Sequence, residues 1–286
     1  MTSGAVRTRS RAARLLGDAL GGYLPLVVAT LIVALPLIWM ILGSLKSPAE
    51  IITQDLVVLP SNPSLDAYAD ASARIDFARL TLNSTIVTVV GGAIKVVLAL
   101  TTAYALVFVQ FPFKRLVFGV ILVALMVPAQ VALVPNYVLI AGMGGVNTYW
   151  GIILPGLGTA FGTFLLRQQF LALPKEIVEA AEMDGAGHVT RLFRVIVPVT
   201  TPTIATVALV TVVNEWNDYL WPLIVTNSGD MMTLPVGLSQ LSNSEGDLGQ
   251  YPMLMAGAVV VIVPVLILFA FLQRYIVAGL TQGAVR

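Results

Sequence analysis

From Leu116 to Leu166 the chain runs for 51 residues without a formal charge. A spanning helix needs about 20 mostly apolar residues, so this stretch is long enough to cross a bilayer twice. The segment GMGGVNT, Gly142 to Thr148, divides it, because glycine and asparagine favour a turn. The rest of the chain agrees with a membrane setting. Only 11% of its residues are charged and 57% are hydrophobic, whereas soluble domains carry about 25% charged residues.

Four further apolar runs have spanning length, giving six predicted spans at about 22–45, 80–109, 116–141, 149–171, 202–225 and 252–275. At the N-terminus, Arg7, Arg9, Arg11 and Arg14 precede an uncharged run from Ala19 to Leu45. Its 27 residues exceed the roughly 7–15 of a signal-peptide core, which predicts a retained helix. Lys and Arg in the short connections set the orientation. With the N-terminus inside, 12 of the 16 basic residues fall on the cytoplasmic side; only Lys46, Arg74 and Arg79 lie outside, and Lys95 lies within a span. The expected fold is an all-α integral membrane protein of six transmembrane helices, with both termini cytoplasmic. Residues 1–21 form a basic N-terminus, 22–275 the membrane domain and 276–286 a tail. Glu50, Asp55, Asp66, Asp70, Asp76, Asp230, Glu245 and Asp247 give the two larger outer connections an acidic character, suited to a docking partner or simply to solvent.

The connection at 174–201 gathers charge that the rest of the chain avoids. Pro174 suits a first helical position, and Glu176 and Glu179 suit the positive end of the helix dipole. Ile177, Val178, Ala180, Ala181 and Met183 form an apolar strip, and Gly185 and Gly187 permit a sharp turn. A second amphipathic stretch follows, with Leu192, Phe193, Ile196 and Val197 apolar and Arg191 and Arg194 exposed. Pro198 and Pro202 are expected to end it.

Glu179-Ala180-Ala181, then Gly185, then Val195-Ile196-Val197-Pro198 resembles the EAA loop of ATP-binding-cassette importer permeases, with valine in place of isoleucine and leucine at two positions. The longer EAAEMDGAG is similar to the binding-protein-dependent importers of sugars and polyols. NEWNDYLWP at 214–222, TLPVGL at 233–238 and the terminal QRYIVAGLTQGAVR agree. The resemblance covers most of the chain beyond Asn83 and weakens before it. It implies the type I importer permease fold in the inner or plasma membrane. Glu179, Ala180, Ala181, Asp184 and Gly185 would then form a coupling helix seated in an ATPase subunit. It further implies a second permease subunit, two ATPase subunits at the cytoplasmic face that bind ATP and Mg²⁺, and an extracytoplasmic solute-binding protein. The surrounding lipid is a partner too; nucleic acid is not.

Charge inside a bilayer is costly and marks function by default. Lys95 lies about midway along the second span. Glu215 stands 13 residues beyond Pro202, roughly 20 Å along a helix, so the two can share a depth. They either pair with each other or line a solute path together with Trp216, Asn217 and Asp218. A Lys95 set in Gly-x-x-Lys, nine residues before Tyr104-Ala105, resembles the second span of glycerol-3-phosphate importer permeases. That favours glycerol-3-phosphate or a glycerophosphodiester over a neutral sugar or oligosaccharide. Gly158 and Gly162 form a small-x3-small pattern for helix packing. Pro128, Pro135 and Pro155 are candidate kinks.

The chain has no cysteine, one histidine (His188) and no G-x-x-x-x-G-K-[ST] loop. It therefore has no thiolate metal site, no histidine cluster and no cradle for ATP phosphates. A non-catalytic transport subunit is expected, with an ion-coupled carrier relayed by Lys95, Glu215 and Asp218 as the rival from another class and a membrane scaffold or receptor subunit as a further one.

Overall fold

The computed structural model describes residues 19–52, 57–242 and 250–282. The arginines before Asp18, together with Asp55, Glu245, Asp247 and Arg286, lie outside the described residues. Four described helices are long and apolar enough to cross a membrane: Gly21–Gly43, Phe77–Phe108, His188–Trp216 and Tyr251–Phe271. Two bent pairs, Lys114–Met126 with Ala129–Gly142 and Tyr149–Leu157 with Ala160–Leu171, bring the total to six if each pair is one span.

The chain divides into two compact units. In the first, made from Met1–Ala71 and Ser244–Val259, the Gly21–Gly43 helix ends in a polar clasp. Ser44 Oγ lies 2.9 Å from Tyr68 Oη. The buried Lys46 ammonium donates to the Val57 carbonyl and sits 4.8 Å from the Trp39 ring centroid. Burying an ammonium is costly unless such partners meet it.

The second unit, Ser72–Asn243 and Val260–Arg286, is built on the Phe77–Phe108 helix. Asp76 caps its start by accepting from the Arg79 amide at 3.0 Å. Its last turn is closed by Lys114, whose ammonium donates to the carbonyls of Val107 and Val109. Against its later turns pack Leu166 and Phe170 from Ala160–Leu171, and Leu192, Ile196 and Val207 from His188–Trp216, around Ala99, Leu100, Ala103 and Tyr104. Gly162 sits where the three helices meet: a Cβ there would lie 3.0 Å from Val207 and 3.1 Å from Ala99. Gly158 does not share in that packing. It precedes the helix and faces the cavity described below.

Proline sets the sharpest bend. Pro128 has no amide to donate and forces Val127 into an extended conformation (ψ 120°), so the helix stops at Met126 and the chain turns by 95°. The expectation for Pro198 and Pro202 is corrected, because the helix runs unbroken from His188 to Trp216. Arg191–Ile196 is π-helical, with the Val197 amide reaching back to the Leu192 carbonyl. Thr201 Oγ1 then donates to the carbonyls of Val197 (2.9 Å) and Pro198 (3.1 Å), covering the acceptor that Pro202 leaves unmatched. The wider turn also shifts the helix face. Arg191 is buried rather than exposed, while Phe193 of the apolar strip is 51% exposed.

One glycine in this unit has no room to change. A Cβ on Gly151 would stand 1.9 Å from the Gly145 carbonyl oxygen, a backbone atom that cannot swing aside. Gly151→Ala is expected to destabilise the chain by about 3 kcal/mol, read as a lowered unfolding midpoint in detergent. An unchanged midpoint would mean that the two segments are not in contact.

Candidate functional site

Two places in the second unit bring the predicted residues together. The first is a cavity of about 780 Å³ within the membrane-spanning part. Three interruptions of helical structure meet at its wall. These are the Val127–Pro128 bend, the 3-10 turn at Leu154–Leu157, and the break between Trp216 and Leu220. Irregular backbone at membrane depth is tolerated where it lines such a space, because its unpaired groups can meet water or solute there.

Lys95 and Glu215 form an ion pair on this wall, with side chains 13% and 15% exposed. Glycines make room for it. A Cβ on Gly156 would lie 3.0 Å from Lys95 Nζ, and one on Gly91 would lie 3.2 Å from Glu215 Oε2. The sequence leaves open whether these residues pair or face a solute path; the structure pairs them and puts both on the cavity wall. Asp218 also lines the cavity, beside Asn214, Asn136 and Gln130. Trp216 does not. It is buried, and its indole N–H donates to the Val261 carbonyl at 3.0 Å. Asn217 is exposed, returns its amide to the Val213 carbonyl, and is not part of the cavity wall. Trp221 lines the wall but is anchored by its indole N–H to the carbonyls of Gly151 and Ile152.

The second place is the helix Lys175–Met183 and the turn after it. The amide of Ala186 donates to Ala181 and that of Gly185 to Glu182, both at 3.0 Å. Gly185 has φ +74°. This is a Schellman ending, which asks for glycine at the left-handed position. Ala181 is buried, while Glu179, Ala180 and Asp184 stay exposed, so the helix keeps a free face with acids on it. The sequence reading missed the ties on the opposite side. Arg191 is ion-paired with Glu182, and His188 bonds Tyr104. The only hint in the sequence was the nine-residue spacing between two opposite charges across a glycine turn.

A helical membrane subunit with broken spans around a polar cavity, and a short acidic helix beyond a glycine turn, has the parts of a transporter that takes its energy from another protein. Residues 95–282 match the family described as binding-protein-dependent transport system inner membrane component, and the chain belongs to that family. It is 35% identical over 259 residues to the arabinooligosaccharides transport system permease protein AraQ of Halalkalibacterium halodurans, covering 89% of this chain and 92% of that one. It is 31% identical over 268 residues to the sn-glycerol-3-phosphate transport system permease protein UgpE of Brucella suis, covering 91% and 95%. Its fold matches a chain of a bacterial ABC transporter involved in the import of the acidic polysaccharide alginate (TM-score 0.79, 24% identity, 93% of this chain and 98% of that one). The protein is a multi-pass inner membrane permease of an ABC importer, a non-catalytic component of a binding-protein-dependent complex. The self-sufficient ion-coupled carrier and the scaffold are set aside by that membership.

Proposed function

We propose that this chain forms half of the translocation path for glycerol-3-phosphate or a glycerophosphodiester. In this reading it pairs with a second permease subunit. Two ATPase subunits, which bind ATP and Mg²⁺, dock from the cytoplasm on the face carrying Glu179, Ala180, Ala181, Asp184 and Gly185. A solute-binding protein delivers cargo from outside. Closure of the ATPases on ATP draws the Lys175–Met183 helix with them and turns the cavity outward; hydrolysis resets it.

The observation that carries the choice of cargo is the Lys95 ammonium on the cavity wall. A phosphate oxygen can take the place of the Glu215 carboxylate as its counter-charge, and such charge-assisted bonds are strong where water is scarce. Lys95, Asn214 and Asp218 then address the phosphate and hydroxyl groups. Trp216 and Asn217 act one step back, holding the end of the helix that presents Glu215 and Asp218.

A second reading, a sugar or oligosaccharide, is favoured by the pair itself. Glu215 already neutralises Lys95, and neutral Asn136, Gln130 and Asn214 line the same wall. The relative named for arabinooligosaccharides is also 35% identical. Competition uptake with the assembled importer in proteoliposomes distinguishes the two. Unlabelled glycerol-3-phosphate and glycerophosphocholine are expected to compete and arabino-oligosaccharides are not; the reverse order would overturn the phosphate reading.

A further inference from the structure

Four side chains on three helices form one connected chain at the foot of the spans. Glu182, near the end of Lys175–Met183, is ion-paired with Arg191. The same guanidinium donates from Nη2 to His188 Nδ1 at 3.1 Å. Tyr104, on Phe77–Phe108, lies 3.0 Å by its hydroxyl from that nitrogen. A guanidinium can only donate, so Nδ1 accepts in that contact, and the Tyr104 hydroxyl shares the same lone pair. The two ends are set differently. Tyr104 is buried, its ring tilted at 5.2 Å from that of Phe108, and packed in the core with Leu192 and Ile196. Glu182 is 55% exposed at its side chain, on the helix that the proposed ATPase would move.

The peptide link beside this chain is thin. A Cβ on Gly185 or Gly187 would meet nothing within 4 Å, so no side chain braces the turn. Arg191 is only 8% exposed and is held on its other side by His188, so its guanidinium links Glu182 to the packed helices. A movement of Glu182 thus pulls on Arg191, and through it on His188 and Tyr104. We propose that Glu182, Arg191, His188 and Tyr104 are positioning residues forming the tie-rod that carries displacement of the Lys175–Met183 helix into two spans at once. The inference rests on the coupling role proposed above and adds the route by which the movement travels.

The test uses the assembled importer and reads ATP hydrolysed per solute imported, with co-purification of the ATPase subunits as the assembly control. Glu182→Arg and Arg191→Glu are each expected to raise that ratio about three- to tenfold, the range for losing one contact of a coupling network. The double exchange should return it to within about twofold of the starting protein, since it restores the opposite charges. His188→Asn, which keeps an acceptor near Nδ1, should stay coupled, whereas His188→Gln, whose amide reaches the Nε2 position, should not. Unchanged ratios in assembled charge variants, or an exchange that fails to restore coupling, would overturn the tie-rod. Should the charge variants fail to assemble, the two His188 variants decide, and equal ratios there overturn it. If Gly185→Val also leaves the ratio unchanged, the coupling reading itself falls; if Gly185→Val uncouples and these variants do not, only the tie-rod does.

Discussion

Gly185→Val is expected to insert and assemble, yet to lose about tenfold of its ATP-driven uptake while hydrolysis continues. The residue sits at φ +74°, where an L side chain costs about 1–2 kcal/mol and a β-branched one more. Nothing lies within 4 Å of a Cβ there, so crowding plays no part and the whole effect is in the backbone. Escaping the strain breaks the two bonds that close the helix, from Ala186 to Ala181 and from Gly185 to Glu182, and re-aims the acidic face. Gly185→Asn is the control, because asparagine enters the left-handed region far more readily. It should keep most of the uptake. Equal uptake by the valine and asparagine forms would show that the turn's geometry does not matter to coupling.

Lys95→Met should cut uptake of a phosphorylated solute at least about tenfold, and the companion variants say why. Removing one partner leaves the Glu215 carboxylate without its counter-charge, a penalty of about 3 kcal/mol for a buried pair. Lys95→Met with Glu215→Gln removes both charges and that penalty together. If Lys95 addresses the cargo, the double variant stays inactive toward the phosphorylated solute. If the pair only supports the fold, the double variant recovers. Recovery would therefore move the cargo assignment to a neutral sugar.

The landmarks of the two candidate sites were legible in the sequence to different degrees. Glu179-Ala180-Ala181 and Gly185 could be read directly, because a turn that demands glycine leaves its mark at one position. Helix rise put Lys95 and Glu215 at a shared depth but left open whether they pair with each other. The 95° bend could not be read from the 51-residue apolar run, where a straight span and a folded-back one have the same hydropathy; Pro128 gave only its place. Arg191 was assigned to the wrong face because a 3.6-residue period was assumed through Arg191–Ile196, where the helix is π. Pro198 and Pro202 misled for a related reason, since the same π turn and Thr201 repair what prolines usually break. Trp216 looked like a solute face, yet its indole serves the Val261 carbonyl.

The interrupted helices around the cavity bear on how such a protein changes its cargo. Where a wall owes its polarity to broken backbone, that polarity survives almost any exchange of side chains. Diversification can then work on the few projecting groups, here Lys95, Glu215, Asn214 and Asp218, without rebuilding a hydrophilic interior each time. A gene copy that loses its two opposite charges together would keep the broken helices that shape the cavity.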